Sequence, residues 1–296
     1  MHTSTTRVWI ALALVYVVWG STYLGIRIVV ETMPPFFSVG ARFLTAGTLL
    51  AGIVAWRRGP AALKATRAQV ASAALVGLLL ILGGNGLVVL AETTVPSGLA
   101  ALLVAAVPMW LVVLRAGSGD RPSPRTLTGV LLGLGGLAVL TSPGFGGGIG
   151  IGGVLLVLGA SVLWALGSFS TGKLTLPADP FTGSAYQMLA GGAAGIVVGL
   201  CRGEQHGLDV TSYPTAAWLA LGYLVLFGSL VGFTAYVWLL RAAPLSLVAT
   251  YAYVNPVVAV ALGWLVLDEA LTWPILLGGA IVVAAVCVIV STERRT

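Results

Sequence analysis

The stretch that decides the fold is VWIALALVYVVWGSTYLGIRIVV, residues 8–30, in which Arg27 is the sole charged side chain. A hydrocarbon core about 30 Å thick is crossed by roughly 20 mostly apolar residues in a helix, and this run reaches that length. It is too long for the apolar core of a signal peptide and lacks a small-x-small cleavage site, so it reads as a retained first helix. Working outward, charges, prolines and glycine clusters punctuate the chain into further spans at 36–56, 70–91, 95–114, 125–141, 150–172, 181–200, 216–240, 245–267 and 273–291. Ten such spans leave little of the 296 residues beyond short loops.

Composition points the same way. Apolar residues make up 58% of the chain, with 40 glycines in addition, while Asp, Glu, Lys and Arg together reach 8%, against roughly 25% in ordinary soluble domains. A water-facing surface cannot be built from this, which excludes a sizeable soluble domain, a nucleic-acid-binding module and a conventional cofactor domain. The two cysteines, Cys201 and Cys287, support neither a disulfide framework nor a four-cysteine metal site. The net charge of +6 is therefore read as membrane topology. With the amino terminus inside, twelve of the fifteen basic residues collect on cytoplasmic segments, Arg202 is alone on the opposite side, and Arg27 and Arg42 fall within spans. Both termini are accordingly expected in the cytoplasm and the loop around Gly147 outside.

Trp19 and Arg42 are separated by 23 residues, as are Trp164 and Gln187, and Pro35-Phe36 aligns with Pro180-Phe181 at the same offset of 145. Pro96 and Pro108 align with Pro244 and Pro256 at 148. Each half, 1–145 and 146–296, contains five spans, so the second runs through the membrane inverted relative to the first. The expected fold is an all-α integral membrane protein, ten transmembrane helices as two inverted five-helix repeats around a central cavity, with the binding site near the midplane.

The stretch Val18-Trp19-Gly20-Ser21-Thr22-Tyr23 with Arg27, followed by Ala41-Arg42-Phe43-Leu44, resembles the opening of EamA-type members of the drug/metabolite transporter superfamily. Tyr253-Val254-Asn255-Pro256 and the residues through Trp264, then Asp268-Glu269-Ala270-Leu271-Thr272 and Gly278-Gly279, are similar to that family's hallmark near its ninth and tenth helices. The first-half equivalent of Glu269 is Asp120, a departure from the motif. The resemblance spans essentially the whole chain and implies a ten-helix bundle that exports small metabolites, amino acids or drug-like compounds.

Candidate site residues are the polar and aromatic groups that the bilayer would otherwise penalise. Arg42 lies a few residues into the second span, where a charge should face protein or a water-filled cavity. It recognises a substrate carboxylate through its planar donor fork, pairs with Glu92 or Glu31, or does both. Arg27, nearer a helix end, can snorkel. Tyr16, Trp19, Tyr23 and Arg27 share one helical face, and Trp164, Ser168 and Thr171 form its counterpart on the sixth span. These faces line a cavity or pack as aromatic clusters. Trp9, Trp56, Trp218 and Trp273 lie near span ends and read as interfacial belt residues. Pro108 and Pro256 interrupt the fourth and ninth spans, which brings Trp110, Tyr251 and Asn255 into the candidate set together with Asn85. The glycine pairs Gly129/Gly133, Gly191/Gly195/Gly199 and Gly228/Gly232 read as close-packing motifs.

All nine acidic residues map to loops or span ends. No mid-membrane carboxylate is thus available for coupling, and Glu92, near the outer end of the third span, is the candidate for any proton linkage. The expectation is facilitated movement or exchange without an obligatory cation. Neither catalytic nor metal-ligating constellations are found and no cofactor is expected, so the chain reads as a secondary transporter in the inner membrane rather than an enzyme. A passive channel and a membrane-embedded enzyme are the alternatives. The expected partners are a small-molecule substrate and membrane lipid, with no nucleic acid, in a monomer or weak homo-oligomer.

Overall fold

The computed structural model describes residues 5–119, 122–140 and 150–293. In chain order its long helices are α1 (Thr5–Val30), α2 (Pro35–Arg58), α3 (Arg67–Ala91), α4 (Ser97–Gly117), α5 (Pro124–Leu140), α6 (Ile151–Thr171), α7 (Pro180–Cys201), α8 (Thr215–Ala242), α9 (Tyr251–Leu267) and α10 (Trp273–Glu293). Among the described residues there is no strand, and seven helices, α1–α4 and α6–α8, are long and apolar enough to cross a bilayer. The other three are shorter apolar segments as far as their described residues show. Helix ends lie within about four residues of the boundaries read from the sequence, because charges and prolines stop both the hydropathy and the helix, except that α9 begins at Tyr251, six residues after the expected 245, where Ala249–Thr250 break the span. The Asp120 equivalent of Glu269, the loop at Gly147 and the boundary between residues 145 and 146 lie outside the described residues.

Apolar side chains are abundant on both the inside and the outside of the bundle. Leu12, Phe43, Leu80, Leu99 and Leu239 are fully enclosed, while Leu131, Leu155, Leu219 and Leu265 are each more than 60% exposed. Only a lipid solvent tolerates such a surface, and the mean hydropathy of +1.03 agrees. The four tryptophans read as belt residues, Trp9, Trp56, Trp218 and Trp273, are all exposed near helix ends. The protein is a multi-pass membrane protein.

Helix pairings are set by glycine. A Cβ added at Gly195 would meet the Gly40 backbone, and one at Gly192 the Leu44 backbone, so α2 and α7 touch almost main chain to main chain. Gly129 and Gly136 seat Ile289 and Val282 in the same way between α5 and α10. The remaining principal contacts join α1 to α8 and α9, α6 to α3 and α4, α2 to α8, α7 to α3, and α4 to α9. Exchanging α1–α5 with α6–α10 leaves this set of pairings unchanged.

Two irregularities shape the middle of the bundle. In α3 the turn widens to π geometry over Leu78–Gly86, and in α8 over Leu224–Phe233. Such π segments leave backbone carbonyls free of their usual partners and collect at functional sites. In α4 the helix breaks at Ala105–Ala106, and Pro108 opens its second segment. The turn Leu245–Val248 likewise precedes α9 across a break at Ala249–Thr250, leaving Pro256 inside the continuous part of α9.

Candidate functional site

The two π segments, α1, α2, α6 and α9 line a cavity of about 60 Å³, room for roughly four to six waters. Of the ten candidates Tyr16, Trp19, Tyr23, Arg42, Asn85, Trp110, Trp164, Ser168, Tyr251 and Asn255, seven line it: Trp19 and Tyr23 from α1, Arg42 from α2, Asn85 from α3, Trp164 from α6, and Tyr251 and Asn255 from α9. The remaining wall is Thr22, Ile26, Phe43, Gly84, Val88, Val104, Ala160, Ser161, Gly228 and Phe233. The wall thus combines a cation, polar groups and aromatic rings.

Arg42 is 3% exposed. Its Nε donates to Ser229 Oγ at 2.8 Å and its Nη1 to Asn85 Oδ1 at 3.3 Å, and the guanidinium carbon stands 4.6 Å from the centre of the Phe43 ring. All of these partners are neutral. The ion pair with Glu92 or Glu31 that the sequence also allowed is not formed, since no carboxylate lies within 4 Å of Arg42 among the described residues. Glu31 instead pairs with Arg27, Nε to Oε1 at 3.6 Å. One turn of α1 brings Arg27 and Glu31 together, whereas Arg42 is turned inward by the close packing of α2.

Three rings of the wall, Trp19, Trp164 and Tyr251, cluster with Tyr236 behind them. Trp19 meets Trp164 edge-on at 5.3 Å, Tyr236 at 4.8 Å and Tyr251 at 5.5 Å between centroids. Each tryptophan sits in a notch cut by glycine in the opposite half: a Cβ at Gly232 would lie 2.6 Å from Trp19 Nε1, and one at Gly84 would lie 2.5 Å from Trp164 Cε3. The Trp19 indole N–H donates to the Gly228 carbonyl in the α8 π segment at 3.1 Å. Gly228 and Gly232, read from spacing as helix-packing residues, therefore make room for Arg42 and Trp19 instead.

Three of the selected residues stand behind the wall. The Trp110 indole donates to Ser161 Oγ at 3.0 Å, holding a residue that does line the cavity. Ser168 Oγ shares a hydrogen bond of 2.6 Å with the Tyr236 hydroxyl, and the Tyr16 hydroxyl is hydrogen-bonded to Thr250 Oγ1. The Asn255 amide, oriented as its neighbours require, donates to the carbonyls of Tyr16 and Tyr251 at 3.1 and 3.2 Å. Sequence reasoning missed Phe43 and Ser161 on the wall and Tyr236 behind it. Tyr236 is 2% exposed, accepts the Trp164 indole N–H at 3.1 Å and packs on three rings. An unremarkable tyrosine in an apolar run carries no spacing signal that would single it out.

On the side read as external, α2 and α4 have proline at the capping position and no side-chain cap of their own. Each accepts a carboxylate from the other half. Glu204 Oε2 takes the N–H groups of Phe36 and Phe37, both at 3.0 Å, and Glu269 takes those of Ser97 at 2.7 Å and Gly98 at 3.0 Å. Asp268, the one non-glycine residue with positive φ (52°) among the described residues, turns the chain so that Glu269 can reach back. Gly263 leaves space for the carboxylate, since a Cβ there would lie 2.4 Å from Oε2. A negative charge on a helix N-terminus is favourable. Glu92, close to this cap, is fully buried.

A buried guanidinium with neutral partners, Asn85 among them, in a cavity also lined by Trp19, Trp164 and Tyr251, can bind a carboxylate and an apolar body. No group of three or more His, Cys, Asp or Glu that could hold a metal occurs among the described residues. Comparison with known proteins agrees with a transport role. The chain is 41% identical over 255 residues, 86% of its length and 80% of the relative's, to the Escherichia coli K12 protein named "Uncharacterized inner membrane transporter YedA". It is 29% identical over 293 residues, 98% of its length and 94% of the relative's, to a protein of Streptantibioticus cattleyicolor named "Probable terminal-alkyne amino-acid exporter". A crystal structure 18% identical in sequence superposes with a TM-score of 0.71 over 99% of this chain and 100% of that one, a likeness of fold. The model of the EamA-like transporter family matches twice, over residues 7–142 and 151–291, and the chain belongs to that family.

Proposed function

We propose that the protein is a secondary transporter that exports a small carboxylate-bearing metabolite, of amino-acid type, across the inner membrane by alternating access. Residues 1–145 and 146–296 act as inverted five-helix halves of a ten-span bundle, with both termini in the cytoplasm. The observation that carries the reading is Arg42, a buried cation on the cavity wall held by neutral partners alone among the described residues. Burying an unpaired charge is costly, and a substrate carboxylate entering the cavity supplies the missing counter-charge through the guanidinium fork. The aromatic cluster receives the rest of the substrate.

Supporting the inverted halves are the exchange symmetry of the helix pairings, the π segments in α3 and α8, and the double family match. In its present shape the cavity is far smaller than the few hundred Å³ typical of small-molecule pockets. That small volume and the bulky ring cluster beside it speak for a carrier that must rearrange to pass its cargo and against an open channel. Export, the inner membrane and the amino-acid class are carried over from the relatives' names. The transporter works without a cofactor, embedded in lipid, as a monomer or weak homo-oligomer.

The test is counterflow in proteoliposomes with a panel of radiolabelled amino acids and their N-acyl derivatives. Saturable exchange that requires the free carboxylate and is lost with Arg42→Ala is the expected result. Flux that rises linearly with concentration, or exchange indifferent to Arg42→Ala, would overturn the reading.

A further inference from the structure

Sequence position puts Glu92 at the end of α3, where a carboxylate would ordinarily reach water. The fold encloses it instead: Glu92 is 0% exposed, and neither Oε1 nor Oε2 has a hydrogen-bond partner among the described residues. The charged groups near enough to act on it are Arg27 from α1, Arg42 from α2 and Glu269 from the turn between α9 and α10. Both cations are committed elsewhere. Arg27 pairs with Glu31 and donates to the Glu92 main-chain carbonyl, not its carboxylate, and Arg42 donates to Ser229 and Asn85. Neither forms an ion pair with Glu92. Glu269 is anchored on the N-terminus of α4, so its negative charge opposes a second one beside it. Tyr23 of α1 faces the same region, and α6, packed against the end of α3, contains no ionisable side chain.

We propose that the Glu92 carboxyl group is a proton-binding site, loaded while Glu92 is buried as here and emptied to the outer side when the ends of α4 and α9 separate there. A buried ionised carboxylate without a donor is among the most costly arrangements in a protein, and a neutral carboxylic acid avoids most of that cost. The outer closure gives the site its switch. Glu269 holds the end of α9 to the start of α4, and Ser97 and Gly98 lie just beyond the turn that carries Glu92. Separating those ends brings water to Glu92; the carboxylic acid then ionises to a carboxylate and the proton passes to outer water. A metal cation fits less well, because no third acidic or histidine ligand stands with Glu92 and Glu269 among the described residues. This replaces the sequence expectation of cation-free exchange. It rests on the transporter reading only for its link to transport, since the proton is detected without substrate.

Infrared spectroscopy of the purified full-length chain in detergent, without substrate and with choline as the bulk cation, tests the site. At neutral pH the wild type should show a protonated-carboxyl C=O band that shifts in heavy water and on ¹³C-glutamate labelling, and that is missing in Glu92→Gln. Glu92→Gln and Glu92→Leu, both neutral, should melt at the wild-type temperature or above. Absence of the band from the folded wild type, its persistence in Glu92→Gln, or its loss when sodium replaces choline would each overturn the proposal. The wild-type isotope shift decides the matter even where a variant fails to fold.

Discussion

Replacing Gly232 with alanine tests the notch that seats Trp19. The added Cβ would lie 2.6 Å from Trp19 Nε1 and 2.9 Å from Cδ1, whereas ordinary contact begins at 3.4 Å, so the indole must retreat by about 0.8 Å. It has nowhere to go cheaply, because Trp164, Tyr236 and Tyr251 surround it at 4.8 to 5.5 Å between centroids. The same movement stretches the 3.1 Å bond from the indole N–H to the Gly228 carbonyl on the same helix, α8, beyond hydrogen-bonding distance. An unsatisfied buried donor costs about 1–3 kcal/mol and overpacking about 1–3 kcal/mol, so the expected loss is roughly 2–6 kcal/mol. Gly52→Ala is the control: it lies exposed in α2 with nothing within 4 Å of the new Cβ, and alanine there should gain about 0.5–1 kcal/mol of helix stability. Thermal unfolding in detergent, followed by size-exclusion chromatography, ranks the two. Should Gly232→Ala melt with or above Gly52→Ala, the account of the Trp19 seat is wrong.

Arg42→Lys keeps the charge but loses the planar fork, and with it one charge-assisted hydrogen bond of about 1.5–3 kcal/mol. The apparent KM for the carboxylate substrate in proteoliposomes should therefore rise roughly ten- to a hundredfold, while folded yield stays near that of the wild type; an unchanged KM would remove Arg42 from the binding site. Glu269→Ala removes the borrowed cap of α4 and should destabilise the protein by about 1 kcal/mol. Gly263→Ala pushes the same carboxylate away, so the double variant should lose no more than the worse single one, and additive losses would show that the two residues act separately. Reporter fusions after Arg67 should read cytoplasmic and those after Gly203 external; the reverse pattern would invert the orientation drawn from the basic residues.

Much of the molecule was legible before any coordinate. Span boundaries could be read because charges such as Arg57, Arg58 and Arg67 are excluded from hydrocarbon and prolines such as Pro35 and Pro180 end or begin helices. The exposure of Trp9, Trp56, Trp218 and Trp273 near helix ends was legible for the same reason. Trp19, Tyr23 and Trp164 emerged from helical spacing combined with depth. Tyr236, Ser161 and Phe43 did not, because an apolar helix surrounded by other helices and by lipid shows no polar face to reveal which side turns inward.

The sequence by itself determined that this chain lives in a bilayer, roughly where it crosses, which orientation its basic residues favour and to which family it belongs, because hydropathy and motif are properties of local strings. Tertiary structure alone decided who meets whom. It turned Arg42 toward Ser229 and Asn85 rather than toward a carboxylate, converted Gly228 and Gly232 from packing residues into room for a guanidinium and an indole, and enclosed Glu92 at a helix end that the sequence places near water. Those outcomes depend on which helix from the other half lies alongside, and contacts between groups as far apart as Arg42 and Ser229, or Ser97 and Glu269, are set by packing geometry that no local pattern encodes.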